Sequence, residues 1–317
     1  MFRDARATFS GTQQLELPAS VGSRDAQDLS LHSLEIRASR LRISRIEIDQ
    51  GDTFKNRFLL VWHQRRGCFR DVVYRSFWQQ FAKHVCNEGP RVDDTLHVIR
   101  SRTGNPDFWV IGGDGRLASH CANGLMYAGQ RYAERHDSSS VAFQCGRELR
   151  TVRVNSLGAQ VNLGKPRPMP FLSRFPAPLR CSPLLVNTGE PHAVSFDEDV
   201  AALTEERPAL FSDVGHAVCR MGAPAGINWN LVTPLADGLQ IRTFERGVRR
   251  PTTSCGTGSA AAFYAAQRTG RYDCDQLPVK SAGGCHVVSR HKDEFLVTGA
   301  PTHQSSWALS DLLSAAL

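Results

Sequence analysis

The 317-residue chain has no long hydrophobic run. A membrane-spanning helix needs about 20 consecutive apolar residues, and stretches such as Phe58-Leu59-Leu60-Val61-Trp62 fall far short of that. The opening segment, MFRDARATFSGTQQLELPAS, lacks the apolar core of a secretory signal, so the expected location is the cytoplasm and no membrane partner is expected. There is no Cys-x-x-Cys and no cysteine pair at zinc-finger spacing, which argues against a structural metal site. A basic stripe interleaved with aromatics is also missing. The net charge of +7 comes from 38 Lys and Arg against 31 Asp and Glu, and pairs such as Arg65-Arg66 and Arg249-Arg250 stand alone. Nucleic-acid binding is therefore not expected. With 41% hydrophobic and 22% charged residues, the composition excludes a wholly disordered chain.

Cysteine is what the chain does have. Its nine cysteines are Cys68, Cys86, Cys121, Cys145, Cys181, Cys219, Cys255, Cys274 and Cys285. A chain this long needs no disulfide staples, so they read as reduced thiols, most of them small core hydrophobes. Cys121 and Cys255 fit that description badly because of their neighbours.

Residues 1–40 are polar with little periodicity and read as an N-terminal extension. Leu41, Ile43, Ile46 and Ile48 alternate as a strand would, and a second strand is expected through 58–62. Residues 71–85 place Val73, Phe77, Phe81 and Val85 at helical spacing. A strand at 107–111 precedes the turn Gly112-Gly113-Asp114-Gly115. A helix is then expected from Cys121-Ala122-Asn123-Gly124 to about Arg135, followed by strands near 139–145, 149–155 and 158–163. Three prolines in residues 164–170 mark a domain boundary. Beyond it, strands near 183–187, 191–196, 227–233 and 238–244 lead to Cys255-Gly256-Thr257-Gly258, which opens an alanine-rich helix. A hairpin over 285–299 follows.

The halves share one plan: strands, then a cysteine at the mouth of a helix. A helix N-terminus carries unpaired N–H groups and about +0.5 of a charge. It should lower a thiol pKa and bind a carboxylate. Two such thiols in pseudo-symmetric halves suggest that one takes a proton from a carbon and the other delivers one to the opposite face. That chemistry is cofactor-free racemisation or epimerisation.

These residues resemble the diaminopimelate epimerase family. The matching segments run in order: Gly51-Asp52-Thr53-Phe54; Asp114-Gly115 and then Cys121-Ala122-Asn123-Gly124; 161–166; Gly189-Glu190-Pro191-His192; Gly226-Ile227-Asn228; Glu245-Arg246-Gly247-Val248 and then Cys255-Gly256-Thr257-Gly258; and Gly283-Gly284 with Thr298-Gly299. The resemblance implies an α/β (α+β) fold of two pseudo-symmetric domains, each a mixed curved β-sheet wrapped around a central helix. It assigns 41–165, with a returning segment of about 303–317, to the first domain and 166–302 to the second. Cys121 and Cys255 would be the catalytic pair, with His192 and Glu245 assisting proton movement. Ala122, Asn123, Gly124, Gly256 and Thr257 would surround the α-carboxylate, and Asn228 and Arg246 would line the distal side. No cofactor and no metal are implied. The partner is a small-molecule amino acid, and a homodimer is compatible.

Departures from the pattern bear on the substrate. Asp52 and Glu190 stand where the family usually has Asn, and Gly112 stands where it has the Asn of Asn-Ala-Asp-Gly. Two acidic replacements favour an amino acid with a basic or imidazole side chain over diaminopimelate, although Arg246 argues for diaminopimelate itself. A competing reading takes Gly256-x-Gly258-x-x-Ala261, with Asp275 downstream, as a dinucleotide fingerprint of an NAD(P)-dependent oxidoreductase. That motif needs a preceding apolar strand, and Arg249-Arg250-Pro251-Thr252-Thr253 is not one. A non-catalytic binding protein of the same fold is a third reading, and the presence of both thiols counts against it.

Overall fold

In the computed structural model of the chain, residues 31–88, 92–101, 104–118, 120–170, 183–196, 207–221, 226–246 and 250–315 are described. Cys181, Gly247, Val248, Arg249 and the polar segment 1–30 lie outside them. The first half runs α1 (Leu31–Arg40), β1 (Glu47–Thr53), β2 (Asn56–His63), α2 (Val72–Asn87), β3 (Asp94–Ile99), β4 (Asp107–Gly112), β5 (Leu117–Ala118), α3 (Ala122–His136), β6 (Ser140–Cys145), β7 (Glu148–Asn155) and β8 (Gly158–Gly164). The second half begins with β9 (Arg167–Pro168), β10 (Leu184–Asn187), β11 (Pro191–Phe196), α4 (Pro208–Arg220), β12 (Asn228–Leu235), β13 (Gly238–Glu245) and β14 (Arg250–Thr252). It ends with α5 (Gly256–Arg268), β15 (Gln276–Lys280), β16 (Cys285–His291), β17 (Glu294–Gly299), β18 (Pro301–Ala308) and α6 (Leu309–Ala315).

The strand pairings repeat. In the first half the β1–β2 hairpin is followed by a helical crossover to β3, parallel to β2. Antiparallel β4 comes next, and α3 then leads to β6, parallel to β4. The second half does the same: hairpin β10–β11, crossover α4 to parallel β12, antiparallel β13, then α5 to parallel β15. Each half closes with a meander, β6–β7–β8 or β15–β16–β17. The last strand returns to the first half, where β18 pairs with β1, while β9 pairs with β10 and β8 and β17 join the halves directly.

Each sheet wraps one helix. Helix α3 packs on β6, β7 and β8 and on β1 and β18; α5 packs on strands from β10 to β17. The alanines explain why a helix fits inside the second wrap: Ala260, Ala261, Ala262, Ala265 and Ala266 are all fully buried, where longer side chains would collide with the enclosing strands. Asp71 starts α2 by accepting hydrogen bonds from the N–H groups of Val73 and Tyr74.

Two expectations change. Residues 31–40, placed in the polar extension, form helix α1, whose Leu34 and Ala38 are buried in a cluster with Leu309, Leu312 and Leu313. Those two side chains sit four apart and so share one helix face, a stripe too short to stand out among polar neighbours. The alternation from Leu41 to Ile48 is not one strand. The chain turns there, with the Ile46 N–H bonded to the Ile43 carbonyl, and β1 begins at Glu47.

Candidate active site

Cys121 and Cys255 are the N-caps of α3 and α5, with nearly the same backbone: φ −155° and ψ 110° for one, φ −143° and ψ 110° for the other. Cys121 Sγ accepts the Gly124 N–H at 3.3 Å, and Cys255 Sγ accepts the Gly258 N–H at 3.4 Å. The two helix mouths abut. A Cβ on Gly256 would lie 2.8 Å from the Ala122 Cβ and 3.1 Å from Asn123 Oδ1, so only glycine allows this approach. Because Leu125 and Ser259 already bond the cysteine carbonyls, the N–H groups of Ala122, Asn123, Gly256 and Thr257 are left without partners among the described residues. Four converging donors at two positive helix ends form a ready carboxylate site.

The Asn123 side chain is committed to holding the halves together. Its Nδ2 donates to Ser254 Oγ at 2.8 Å, and its Oδ1 is bonded by His286 Nε2 at 2.9 Å. Substrate contact at this position therefore falls to its backbone N–H. Around Cys255, Thr257 Oγ1 lies 3.4 Å from the sulfur and 3.0 Å from His192 Nε2. Asn230 Nδ2 donates to His192 Nδ1 at 2.9 Å, and Thr243 donates to Asn230 Oδ1 at 2.9 Å. With Nδ1 accepting, the network assigns the imidazole proton to Nε2. His192 thus reaches Cys255 only through a hydroxyl. Burial holds its ring neutral, with a pKa near 3.

Glu245, at the end of β13, accepts from Thr252 Oγ1 at 2.7 Å and is hydrogen-bonded to Cys255. Burial raises its pKa. The thiols depart from expectation. Burial first, and then the negative charge of Asp94 or Glu245, pushes Cys121 and Cys255 well above the ordinary thiol range, outweighing the single N–H that each sulfur accepts. Each thiol also feels acidic neighbours: Glu245 acts on both, and Cys255 raises Cys121 directly.

Other anticipated residues are placed differently. Glu190 forms an ion pair with Arg246, whose Nη1 also donates to the Gly226 carbonyl at 3.1 Å. Asn228 Oδ1 accepts the Arg246 N–H at 3.0 Å, so these three brace one wall. Asp52 lies near the end of β1, paired with Arg57 of β2, and accepts the Lys55 N–H at 3.1 Å and Gln304 Nε2 at 3.2 Å.

Sequence reasoning passed over Ser254, His286, Asp94 and His120. Both buried ring nitrogens of His120 have no partner among the described residues. Its ring lies over Gly189, where a Cβ would come within 2.7 Å of it. Its position directly before Cys121 was the available signal. Among the described residues no group of three or more His, Cys, Asp or Glu side chains is arranged to hold a metal ion, and no helix is long and apolar enough to cross a membrane.

Comparison with known proteins agrees with this geometry. The family model for diaminopimelate epimerase matches residues 184–303. The diaminopimelate epimerase of Methanocella arvoryzae is 31% identical over 249 residues, covering 73% of this chain and 86% of the relative. That of Methanothrix thermoacetophila is 32% identical over 246 residues, covering 71% and 82%. The chain belongs to the diaminopimelate epimerase family. It is accordingly an isomerase of the epimerase and racemase kind. The fold extends further than the sequence does: a crystal structure of a hydroxyproline epimerase from Agrobacterium vitis superposes with a TM-score of 0.59 at 12% identity, covering 86% of this chain and 95% of that one. The family's two-lobed fold thus accounts for the repeated strand order and for the two helices that meet at their N-termini.

Proposed function

We propose that this chain inverts the Cα of an amino acid with a basic or imidazole side chain, using Cys121 and Cys255 as the two proton-transfer groups and no cofactor. The observation that carries the reading is the matched pair of sulfurs, each capping its helix in the same conformation, at mouths close enough that Gly256 touches Ala122. The substrate α-carboxylate rests on the unpartnered N–H groups of α3 and α5, which draws electron density from Cα. One sulfur, as thiolate, removes the Cα proton, and the opposite thiol returns one to the other face.

The raised thiol pKa suits this chemistry. A Cα–H is a very weak acid, and a thiolate that holds its proton tightly is the stronger base. Glu245, bonded to Cys255, is the group that takes the thiol proton. His192 and Thr257 position Cys255 rather than exchange protons with substrate. Thr257→Val should therefore lower kcat by about 3- to 10-fold, the worth of one hydrogen bond. Thr257→Ser, which keeps the hydroxyl, should restore it, and steady-state kinetics of the two variants checks this.

The direct test is solvent deuterium entry at Cα, with parallel stereoinversion, for lysine, arginine, ornithine, histidine and diaminopimelate. Exchange and inversion of at least one member without added pyridoxal phosphate is expected. No exchange with any of them would overturn the two-thiol reading. Diaminopimelate itself is the second reading, favoured by the named activity of the relatives. Against it, Arg246, the cation available for a second carboxylate, is already paired with Glu190.

A further inference from the structure

Asp94 opens β3 directly opposite Gly112 of β4. The resemblance puts an asparagine at position 112, and glycine leaves that side of the cleft bare. A Cβ there would lie 3.4 Å from Asp94 Oδ1 and 3.5 Å from Asp114 Oδ1, so two carboxylate oxygens converge where the amide would stand. The neighbouring acids are occupied. Asp93 takes the Arg57 N–H at 2.8 Å and Arg250 at 3.1 Å; Glu190 takes Arg246; Glu245 takes Thr252. The Asp94 side chain makes no hydrogen bond and no ion pair among the described residues; Arg250, which acts on it through space, is paired with Asp93. It lies beside the catalytic cleft: Leu96, two residues further along β3 and on the same strand face, packs so closely on Gly124 that a Cβ there would come within 2.7 Å of it, and the Gly124 N–H caps Cys121.

We propose that Asp94 is the specificity-determining carboxylate of this enzyme, receiving the cationic end of a basic substrate side chain, with Asp114 behind it toward the surface. The inference rests on the two-thiol reading and moves the selection of a cation from Asp52 and Glu190 to Asp94. The arrangement matches such a substrate at both ends: positive helix mouths for the α-carboxylate, and an unpaired acid for the positive tip.

The charges facing Asp94 agree. Glu245, Asp93 and Asp114 are negative, and Arg250 is the cation that acts on it. Burial and these acids raise its pKa to about 7. An arriving ammonium or guanidinium favours the ionised form and supplies the missing partner.

The test compares lysine with norleucine, which has the same side chain without its ammonium group, in the wild type and in Asp94→Asn. The wild type should prefer lysine, arginine or ornithine. In the variant, the ratio of kcat/KM for lysine to that for norleucine should fall at least about 10-fold, since any effect of the lost charge on Cys121 is common to both substrates and cancels in the ratio. Equal loss for both substrates would overturn the proposal, because Asp94 would then serve the α-ammonium group or Cys121. So would an unchanged preference. Asp94→Glu is a second probe that keeps the charge and should shift preference from lysine toward the shorter ornithine; no shift counts against the assignment. A wild type that exchanges no amino acid sinks the two-thiol reading itself, whereas an active wild type with unaltered selectivity in both variants sinks only Asp94.

Discussion

Cys121→Ala is expected to abolish stereoinversion, lowering it by about 100- to 10,000-fold or more, the usual contribution of a positioned acid or base. Cys255→Ala should do the same. The two variants should differ in what survives. Each keeps one sulfur, which can remove a proton from its own face and return it there but has no opposite partner. Residual Cα deuterium exchange should therefore be confined to one enantiomer, proceed with retention, and involve opposite enantiomers in the two variants. Chiral chromatography with mass spectrometry reads both quantities. Inversion at wild-type rates in both variants would refute the two-thiol account. Cys255 is only 8% exposed and caps a buried helix, so serine replacements provide the control. They keep the size and the cap, yet a hydroxyl is a far weaker acid than a thiol, and they should be inactive while folded.

The parts of the fold that were legible in the sequence are those with local causes. Helix α2 was readable because Val73, Phe77, Phe81 and Val85 recur at helical spacing. Strands β6 to β8 and the β16–β17 hairpin were readable from alternation and turn residues. The two cysteine caps stood out because small residues follow each of them. Helix α4 was missed, although Phe211, Val214 and Val218 lie buried on one of its faces. Its neighbours gave no cap signal: Arg207, at its N-cap, makes no side-chain bond. Strand β3 was missed because its apolar residues Leu96, Val98 and Ile99 are interrupted by His97, a buried imidazole whose ring is bonded by His63 and Thr95. Charge placement was the least readable feature. Whether a carboxylate is free or committed depends on partners far along the chain: Arg246 lies 56 residues from Glu190 and Gln304 lies 252 from Asp52. Composition registers the acids, and only the folded pairing shows that Asp93, Glu190 and Glu245 have partners where Asp94 has none among the described residues. Thiol pKa followed the same rule, since burial inside two wrapped sheets is a property of the whole fold.

Acidification should destabilise the protein well before ordinary carboxylates titrate. His63, His97, His192 and His286 are each 3% exposed or less. Burial holds His63, His192 and His286 to a pKa of about 3 and His97 far below its ordinary value. Each is held as a neutral ring by its partners: His63 bonds Tyr74 and His97, His97 bonds Thr95, and His286 bonds Ser259 and Asn123. In the unfolded chain they titrate near 6.5, so below that pH the unfolded state binds protons that the folded state refuses. Their contribution to stability is complete above about pH 6.5 and is lost as pH falls toward 3, at about 1.4 kcal/mol per pH unit for each ring. Raised carboxyls act in the opposite direction, because a folded group that protonates first gains stability on acidification. Asp94, with its pKa near 7, offsets part of the loss, and Glu190 and Glu245 add to that offset. The imidazoles outweigh them, leaving a net loss of about 3 kcal/mol between pH 7.5 and 5.5, a large fraction of the 5–15 kcal/mol typical of a folded domain. Thermal unfolding should show Tm falling by roughly 5 °C over that interval. His97→Gln, which removes one buried ring from the Thr95–His63 chain, should lower Tm at pH 7.5 yet flatten its decline with acid by about one proton's worth. A Tm that stays level from pH 7.5 to 5.5 would mean that these rings are hydrated and protonate freely in the native state, contrary to the closed hydrogen-bonded chains in which they lie.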